Sequence, residues 1–299
     1  MKLGIIGLGK MGFAIVDRVL KAGHEVVAFD LSQEQMQKIC DLGATAAPSI
    51  KELSEITSII WIMVPEGKPV DDVLAQLTLK PEMIIIDGGN SNFKDSMRRA
   101  EQLKKQNVRF LDCGTSGGLH GHDLGFSLMI GGDHESFLKA ESIFKAVAAL
   151  EAYAYLGASG AGHYIKMVHN GIEYALLEAY AEGFNLLKNG SFKDLDLAKV
   201  AGVWEHGSII RSWICTLSRQ ILEQDQELES ISGGIGEKGT GRWTVEEAEA
   251  QNIPVDVIKQ SLDIRAWSRT SGGDWRTKMV NKLRNQFGGH EVSKGVSEK

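Results

Sequence analysis

The feature that most constrains this chain is Gly7-Leu8-Gly9-Lys10-Met11-Gly12, a Gly-x-Gly-x-x-Gly run set between two periodicities. Before it, Lys2–Gly7 is a short apolar run of strand type; after it, Met11–Ala22 has the spacing of a helix. An acidic residue, Asp30, ends the next strand-like run, 18 residues past Gly12. Glycine is frequent in this chain (34 residues), so the run alone would say little, but its setting is the one a dinucleotide site requires. Gly7 permits a tight turn, Gly9 lets the backbone approach a pyrophosphate, and Gly12 lets the helix pack on the strand. The unpaired N–H groups of the helix N-terminus, with Leu8, Lys10 and Met11 beside them, face the phosphates. The competing reading is a glycine-rich turn that holds nothing. Asp30 is expected to accept hydrogen bonds from ribose hydroxyls and to repel a 2′-phosphate. Leu31-Ser32 brings no cation to offset that repulsion, so the cofactor is expected to be NAD rather than NADP.

Further strand signals fall at Glu25–Asp30, Ser58–Val64, Met83–Asp87, Val108–Asp112 and Ser127–Ile130. Helical patterns lie between them at Gln33–Leu42, Lys94–Gln106 and His134–Leu150. Strands alternating with helices imply right-handed crossovers and a mostly parallel sheet. Beyond Gly157 the pattern is helical throughout, so the expected fold is an α/β Rossmann-type doubly wound domain followed by an all-α domain. The boundary is placed at residue 158: 1–158 binds NAD, and 159–299 binds substrate and oligomerises.

The formal net charge is −6, from 33 Lys and Arg against 39 Asp and Glu. That balance argues against nucleic acid or an anionic membrane as partner, since both select a basic surface. The apolar runs are far shorter than the ~20 residues that span a bilayer, and Lys10 and Asp17 break the resemblance of the start to a signal peptide. A cytoplasmic protein is expected. Cys40, Cys113 and Cys215 are too scattered for a metal cluster or a disulfide framework, so no metal site is expected. The polar end of the chain after Gly288 is expected to fray.

Several segments carry chemistry. Met63-Val64-Pro65-Glu66-Gly67, Asp87-Gly88-Gly89-Asn90-Ser91 and Cys113-Gly114-Thr115-Ser116-Gly117-Gly118 each follow a strand signal. The carboxyl ends of such strands are where ligands bind, so Val64 and Asn90 are candidates for the cofactor. Each segment could instead be an ordinary strand exit or turn. The third strand-end segment, with Cys113 read as a buried residue, is treated as a loop. In the helical run from Gly160 to about Leu187, Lys166, Asn170, Glu173 and Tyr174 are spaced to share one face, with His163 a turn earlier. The other faces are apolar, so the helix is expected to be buried. Its Lys and Glu then face a cleft as base and acid, or pair with each other. From Ile264 to His290 six cations (Arg265, Arg269, Arg276, Lys278, Lys282, Arg284) stand against one acid, Asp274. They suit an anionic substrate or form a solvated basic face.

On Gly7–Gly12, Asp87–Ser91, Thr115–Gly118, Gly160–Tyr174 and Glu237-Lys238-Gly239-Thr240-Gly241-Arg242-Trp243-Thr244, the chain resembles the decarboxylating 6-phosphogluconate dehydrogenases in their shorter form. The resemblance covers nearly the whole length, and the last two blocks are the specific ones. It implies oxidative decarboxylation of 6-phosphogluconate to ribulose 5-phosphate, a step of the pentose phosphate pathway and of gluconate use. Lys166 is then the base and Glu173 the acid, with Asn170 beside them. Asn90, Ser116, Gly117, Gly118, His169 and Asn170 hold the sugar acid, and Tyr174, Lys238 and Arg265 bind the phosphate. Arg284 and His290 match a motif that reaches the substrate from a neighbouring subunit; here they could serve a partner's site, their own or neither. Two departures stand out. Common members have a longer, duplicated helical domain. Their Asn-Arg-Thr after the second strand is Asp30-Leu31-Ser32 here, in line with NAD. Trp204, Trp213, Trp243, Trp267 and Trp275 in the helical part suit a homodimer or homotetramer, though they would equally fill a core. The alternatives are a β-hydroxyacid dehydrogenase of the 3-hydroxyisobutyrate type and a non-catalytic dinucleotide sensor.

Overall fold

The structure is a computed structural model that describes residues 1–237 and 239–292. The chain divides into two compact units, Met1–Met167 and Val168–Lys299. The first holds strands β1 (Lys2–Ile6), β2 (Glu25–Phe29), β3 (Thr45–Ala46), β4 (Ile59–Ile62), β5 (Ile84–Asp87), β6 (Arg109–Ser116), β7 (Phe126–Gly132) and β8 (Ala148–Gly157). Between them run α1 (Lys10–Lys21), α2 (Gln33–Asp41), α3 (Ile50–Ile56), α4 (Lys68–Gln76), α5 (Phe93–Lys104), α6 (Gly121–Leu124) and α7 (His134–Val147).

All eight strands form one sheet in the order β3-β2-β1-β4-β5-β6-β7-β8. From β3 to β6 every pairing is parallel, so the chain winds outward in both directions from β1. The strand order reverses between β1 and β4, which opens a crevice at their carboxyl ends. Both faces are covered, and alternate residues of one strand serve opposite cores. Ile59 and Trp61 join one apolar cluster, Ile60 and Ile62 the other. That double burial explains why these strands read as continuous apolar runs rather than alternating ones.

Three sequence expectations are corrected here. The segment from Cys113 is strand as far as Ser116, paired antiparallel with β7, rather than a loop. The helix from His134 stops at Val147, and Leu150 belongs to β8. Short α3 and α4 were not marked at all. A glycine inside a strand usually reads as a breaker; Gly114 instead marks a close backbone approach. A Cβ there would lie 2.4 Å from the Lys166 Cβ and 2.8 Å from the Gly162 carbonyl.

Lys166 stands in α8 (Ala161–Asn189), the long helix that begins in the first unit. Its seat on the sheet is nearly free of side chains. A Cβ on Gly162 would meet the Met129 carbonyl at 2.3 Å and the Asp112 carbonyl at 2.5 Å. Asp112, fully buried, fixes where the helix starts: Oδ1 accepts from Gly160 N at 2.7 Å and Oδ2 from His163 N at 2.9 Å. A carboxylate at this end satisfies two otherwise orphaned donors and complements the helix dipole.

The second unit takes up the rest of α8 and adds α9 (Leu197–Gly207), α10 (Trp213–Gln224), α11 (Thr240–Ala250), α12 (Asp256–Ser271) and α13 (Trp275–Gly288). Leu177, Ala181 and Phe184 of α8 pack with Leu217 and Ile221 of α10 and with Met279, Val280 and Leu283 of α13. Among the described residues no helix is long and apolar enough to cross a membrane.

Replacing Asp112 by Ala leaves two buried N–H groups unpaired, each worth about 1–3 kcal/mol. Asp112→Ala should therefore lower the free energy of chemical unfolding by several kcal/mol; an unchanged midpoint would show that the helix start is held by something else.

Candidate functional site

In the first unit, the glycine run behaves as its spacing requires. Gly7 has φ +98°, and a Cβ on it would strike the Met63 backbone at 2.8 Å. A Cβ on Gly12 would sit 2.0 Å from the Gly7 carbonyl, so helix and strand touch there. A Cβ on Gly9 meets nothing within 4 Å. Two glycines are thus needed for packing, and the third faces open space where a ligand's phosphates would approach. Gly9 is also the N-cap of α1 and has no side chain to cap the helix's first donors. Lys10 and Met11 open the helix itself. The Asp30 carboxylate is held from two sides, accepting from Leu8 N at 2.6 Å and from Ser32 N at 2.8 Å. Each oxygen keeps acceptor capacity for a hydroxyl. The residues present therefore fit a dinucleotide.

The neighbouring loops are tied together. A Cβ on Gly89 would lie 2.5 Å from the Val64 carbonyl, so the chain after β5 abuts the chain after β4. Asn90, at φ +56°, donates to the Thr115 carbonyl at 3.1 Å and accepts from Thr115 N at 2.9 Å. Its amide therefore bridges to β6 and has one N–H and one lone pair left for a ligand. Ser116 ends β6, and Gly117 and Gly118 follow with positive φ.

Sequence reasoning missed the residue that organises these loops. Arg99, in a charged stretch of α5 that reads as surface, is fully buried. It donates to Asp71 at 2.8 Å, to Asp87 at 3.3 Å and to the Gly67 carbonyl at 2.8 Å. Asp87 in turn accepts from Gly89 N and Ser91 Oγ. No local pattern announces this, because its partners lie far away in sequence.

Lys166 is buried, 6% exposed, at the Gly114 contact. His163 is buried and bonds Ser96 Oγ through Nδ1 at 2.7 Å. Desolvation pushes the Cys113 thiol well up, as expected of an inert buried cysteine.

In the second unit, Asn170 Nδ2 donates to Thr240 Oγ1 at 3.1 Å, and its Oδ1 is 3.1 Å from His169 Nδ1. The Thr240–Thr244 block packs on α8 through glycines. A Cβ on Gly241 would fall 2.3 Å from the Tyr174 ring, and one on Gly171 would fall 2.8 Å from Thr244. Tyr174 carries the Arg265 guanidinium 3.3 Å from its ring centroid. Arg265 is fully buried, and none of its three guanidinium nitrogens has a hydrogen-bond partner among the described residues. Arg284, also buried, donates to Asn281 Oδ1 at 3.3 Å. Burial lowers the Arg265 pKa, and burial together with repulsion from Arg265 brings Arg284 down to about 10. Two desolvated guanidiniums side by side are of the kind that suits an anion. Glu173, on the same face of α8, is half-buried. His290 packs its ring on Phe287, and Asn285 bonds its carbonyl at 2.9 Å. Arg269 and Arg276 are taken up by Glu237, Asp274 and Glu182. Lys238 lies outside the described residues, and so does most of the polar end of the chain. Among the described residues no group of three or more His, Cys, Asp or Glu could hold a metal ion.

Comparison with known proteins supplies the family. A family model for the NAD binding domain of 6-phosphogluconate dehydrogenase matches residues 2–157, and one for the 6-phosphogluconate dehydrogenase C-terminal domain matches 162–297. The chain belongs to the 6-phosphogluconate dehydrogenase family. An NAD(+)-dependent, decarboxylating 6-phosphogluconate dehydrogenase of Haloferax volcanii is 46% identical, over 98% of this chain and 99% of its own length. The structure of Plasmodium falciparum 6-phosphogluconate dehydrogenase superposes with a TM-score of 0.80 at 25% identity. It covers all of this chain, which spans 67% of that longer one. A 3-hydroxyisobutyrate dehydrogenase of Salmonella typhimurium shares the fold, with a TM-score of 0.76 at 20% identity over 94% of this chain and 99% of its own. In this member of the family, the specific blocks noted in the sequence are those that surround Lys166, Asn170 and Tyr174.

One acid in the second unit stands out. Burial pushes Glu178 up to about 7 against the pull of Arg265, from an ordinary 4.5. A raised carboxyl binds more protons folded than unfolded, so its contribution is fully present below about 4.5 and is lost as pH rises towards about 7. At about 1.4 kcal/mol per pH unit, unfolding free energy should fall by roughly 3 kcal/mol over that window. In Glu178→Gln that part of the slope should vanish; parallel profiles for the two proteins would contradict the burial effect.

Proposed function

We propose that this chain oxidises 6-phosphogluconate with NAD and decarboxylates it to ribulose 5-phosphate and carbon dioxide. The observation that carries the reading is the buried Arg265 guanidinium on Tyr174, without a hydrogen-bond partner among the described residues. A sugar acid phosphate has an anion at each end, and a chain with this arrangement has groups for both. NAD, when bound, supplies the acceptor for a hydride. Gly7, Leu8, Gly9, Lys10, Met11, Gly12, Asp30, Val64 and Asn90 would hold it.

Lys166 takes the proton of the 3-hydroxyl as that carbon is oxidised. The resulting 3-keto acid has its carboxylate β to the carbonyl and loses carbon dioxide to leave an enediol. Lys166, now an ammonium, stabilises the charge that develops on the oxygen. Glu173 protonates C1 to give the product. Asn90, Ser116, Gly117, Gly118, His169 and Asn170 hold the sugar acid. Tyr174, Lys238, Arg265 and Arg284 bind the phosphate, with His290 nearby. Residues 1–158 form the NAD-binding part and 159–299 the substrate-binding part. A cytoplasmic homodimer or homotetramer completes the proposal.

A β-hydroxyacid dehydrogenase of the 3-hydroxyisobutyrate type would have no use for the buried arginine pair. Steady-state kinetics on 6-phosphogluconate with NAD and NADP side by side decide between the readings. NADH and carbon dioxide should appear one for one, with a higher kcat/KM for NAD. Oxidation without gas release would overturn the decarboxylase, and a strong NADP preference would overturn the use of Asp30. Lys166→Ala should lose a factor of about 10² or more in kcat, the usual contribution of a general base; a loss of only a few-fold would remove Lys166 from that role.

A further inference from the structure

Glu178 is a buried acid with no task in the reaction above. It lies one turn beyond Tyr174 on α8 and is 4% exposed. Neither of its carboxylate oxygens has a hydrogen-bond partner among the described residues. Arg265, on α12, comes closest to pairing with it: Nε lies 3.9 Å from Oε1, beyond hydrogen-bond reach. The Arg265 guanidinium nitrogens likewise have no hydrogen-bond partner among the described residues. An acid and a base thus face each other in the interior, near enough to attract and too far to bond. Such a pair keeps most of its desolvation penalty and little of the compensating contact.

The charges around Glu178 are few. Glu182 is on its own helix. Arg276 and Asp274 come from α13 and its N-cap, and Arg276 is already bound to Asp274 at 2.7 Å and to Glu182 at 3.5 Å. Arg284, also on α13, repels Arg265. Among the described residues Arg265 is thus the cation left to Glu178.

We propose that Glu178 is the counter-ion of Arg265 in the free enzyme and takes up a proton from solvent when the substrate's phosphate occupies that guanidinium. The inference rests on the reading that Arg265 binds the phosphate. A phosphate dianion there places two negative charges beside an ionised carboxylate in a desolvated region, where like charges cannot both persist. Protonation removes the repulsion and turns one carboxyl oxygen into a donor. No covalent bond changes; one proton moves from water to the carboxylate. Burial already pushes Glu178 up to about 7, the direction in which a bound phosphate would carry it further. Glu178 is a positioning residue in this scheme. Its signature is a proton count and a pH slope, which a merely structural acid would not produce.

The test is calorimetric titration of the full chain with 6-phosphogluconate at about pH 8, in buffers of different ionisation enthalpy. A phosphate monoester's second ionisation, near 6, is complete there, so the ligand itself is already a dianion. Wild type should take up close to one proton per site, and Glu178→Gln about none. Gluconate, which lacks the phosphate, should bind with no uptake. Equal uptake in the two proteins, none in wild type, or the same uptake with gluconate would each overturn the inference while leaving the substrate reading intact. Failure of 6-phosphogluconate to bind wild type would overturn the substrate reading and this inference with it. Wild type alone gives a second measurement that does not depend on the variant folding. Its Kd for 6-phosphogluconate should climb towards about tenfold per pH unit above neutrality, and a flat profile contradicts the proposal.

Discussion

The position of Lys166 depends on backbone lying against backbone. The first turns of α8 rest on β6 and β7 at Gly114, Gly131 and Gly162, where side chains on either side would collide at 2.3–2.8 Å. Glycine is the residue that allows such an approach, and the Asp112 carboxylate sets the rotation and start of the helix by taking two of its N–H groups. Once those are fixed, the 3.6-residue repeat carries Lys166, Asn170, Glu173 and Tyr174 along one face without further instruction. Catalytic geometry is unforgiving at the scale of an ångström, so a helix located by hard contacts is better suited to a base than a loop.

The two units handle anions in different ways. In the first, helix α1 offers backbone N–H groups above a glycine with open space beside it, and a carboxylate at the end of β2 waits for hydroxyls. In the second, full positive charges are buried. A net charge of −6 looked unfavourable for an anionic substrate, yet two arginines, Arg265 and Arg284, are buried in this unit. In the proposed function, their cost in hydration would be offset by a ligand that supplies oxygens to both.

Much of this was legible in sequence because the signal was local. Gly12 read correctly since it is demanded by a contact with Gly7, five residues away, Gly7 by its place in the Gly-x-Gly-x-x-Gly spacing although its own contact is the distant Met63 backbone, and Ile59–Ile62 read as a strand because both of its faces are buried. The apolar remainder of α8 read as wholly buried, and there the reading fails in part: Ile172 is 50% and Leu176 44% exposed, while Leu177, Ala181 and Phe184 are buried. What escaped was non-local. Gly114 read as a loop residue because its reason is a helix fifty residues on. Arg99 sits among Lys94, Asp95, Arg98 and Glu101, an exposed-looking pattern, yet its partners are Gly67, Asp71 and Asp87. Glu178 hides in an apolar stretch, and only the arrival of Arg265 from another helix gives it meaning. The strand β8 carries no clean alternation, and so its first residues joined the preceding helix.

The central claim is that the Gly114 contact places Lys166, and substitution of that glycine tests it most directly. Gly114→Ala puts a methyl carbon 2.4 Å from the Lys166 Cβ and 2.8 Å from the Gly162 carbonyl, so the helix has to move. Measured together, kcat on 6-phosphogluconate should fall by about two orders of magnitude, the scale of an ångström-sized misplacement, while the Kd for NAD, whose glycine run is untouched, should hold. A Gly114→Ala enzyme with near wild-type kcat would show that the base is positioned by something other than this seat.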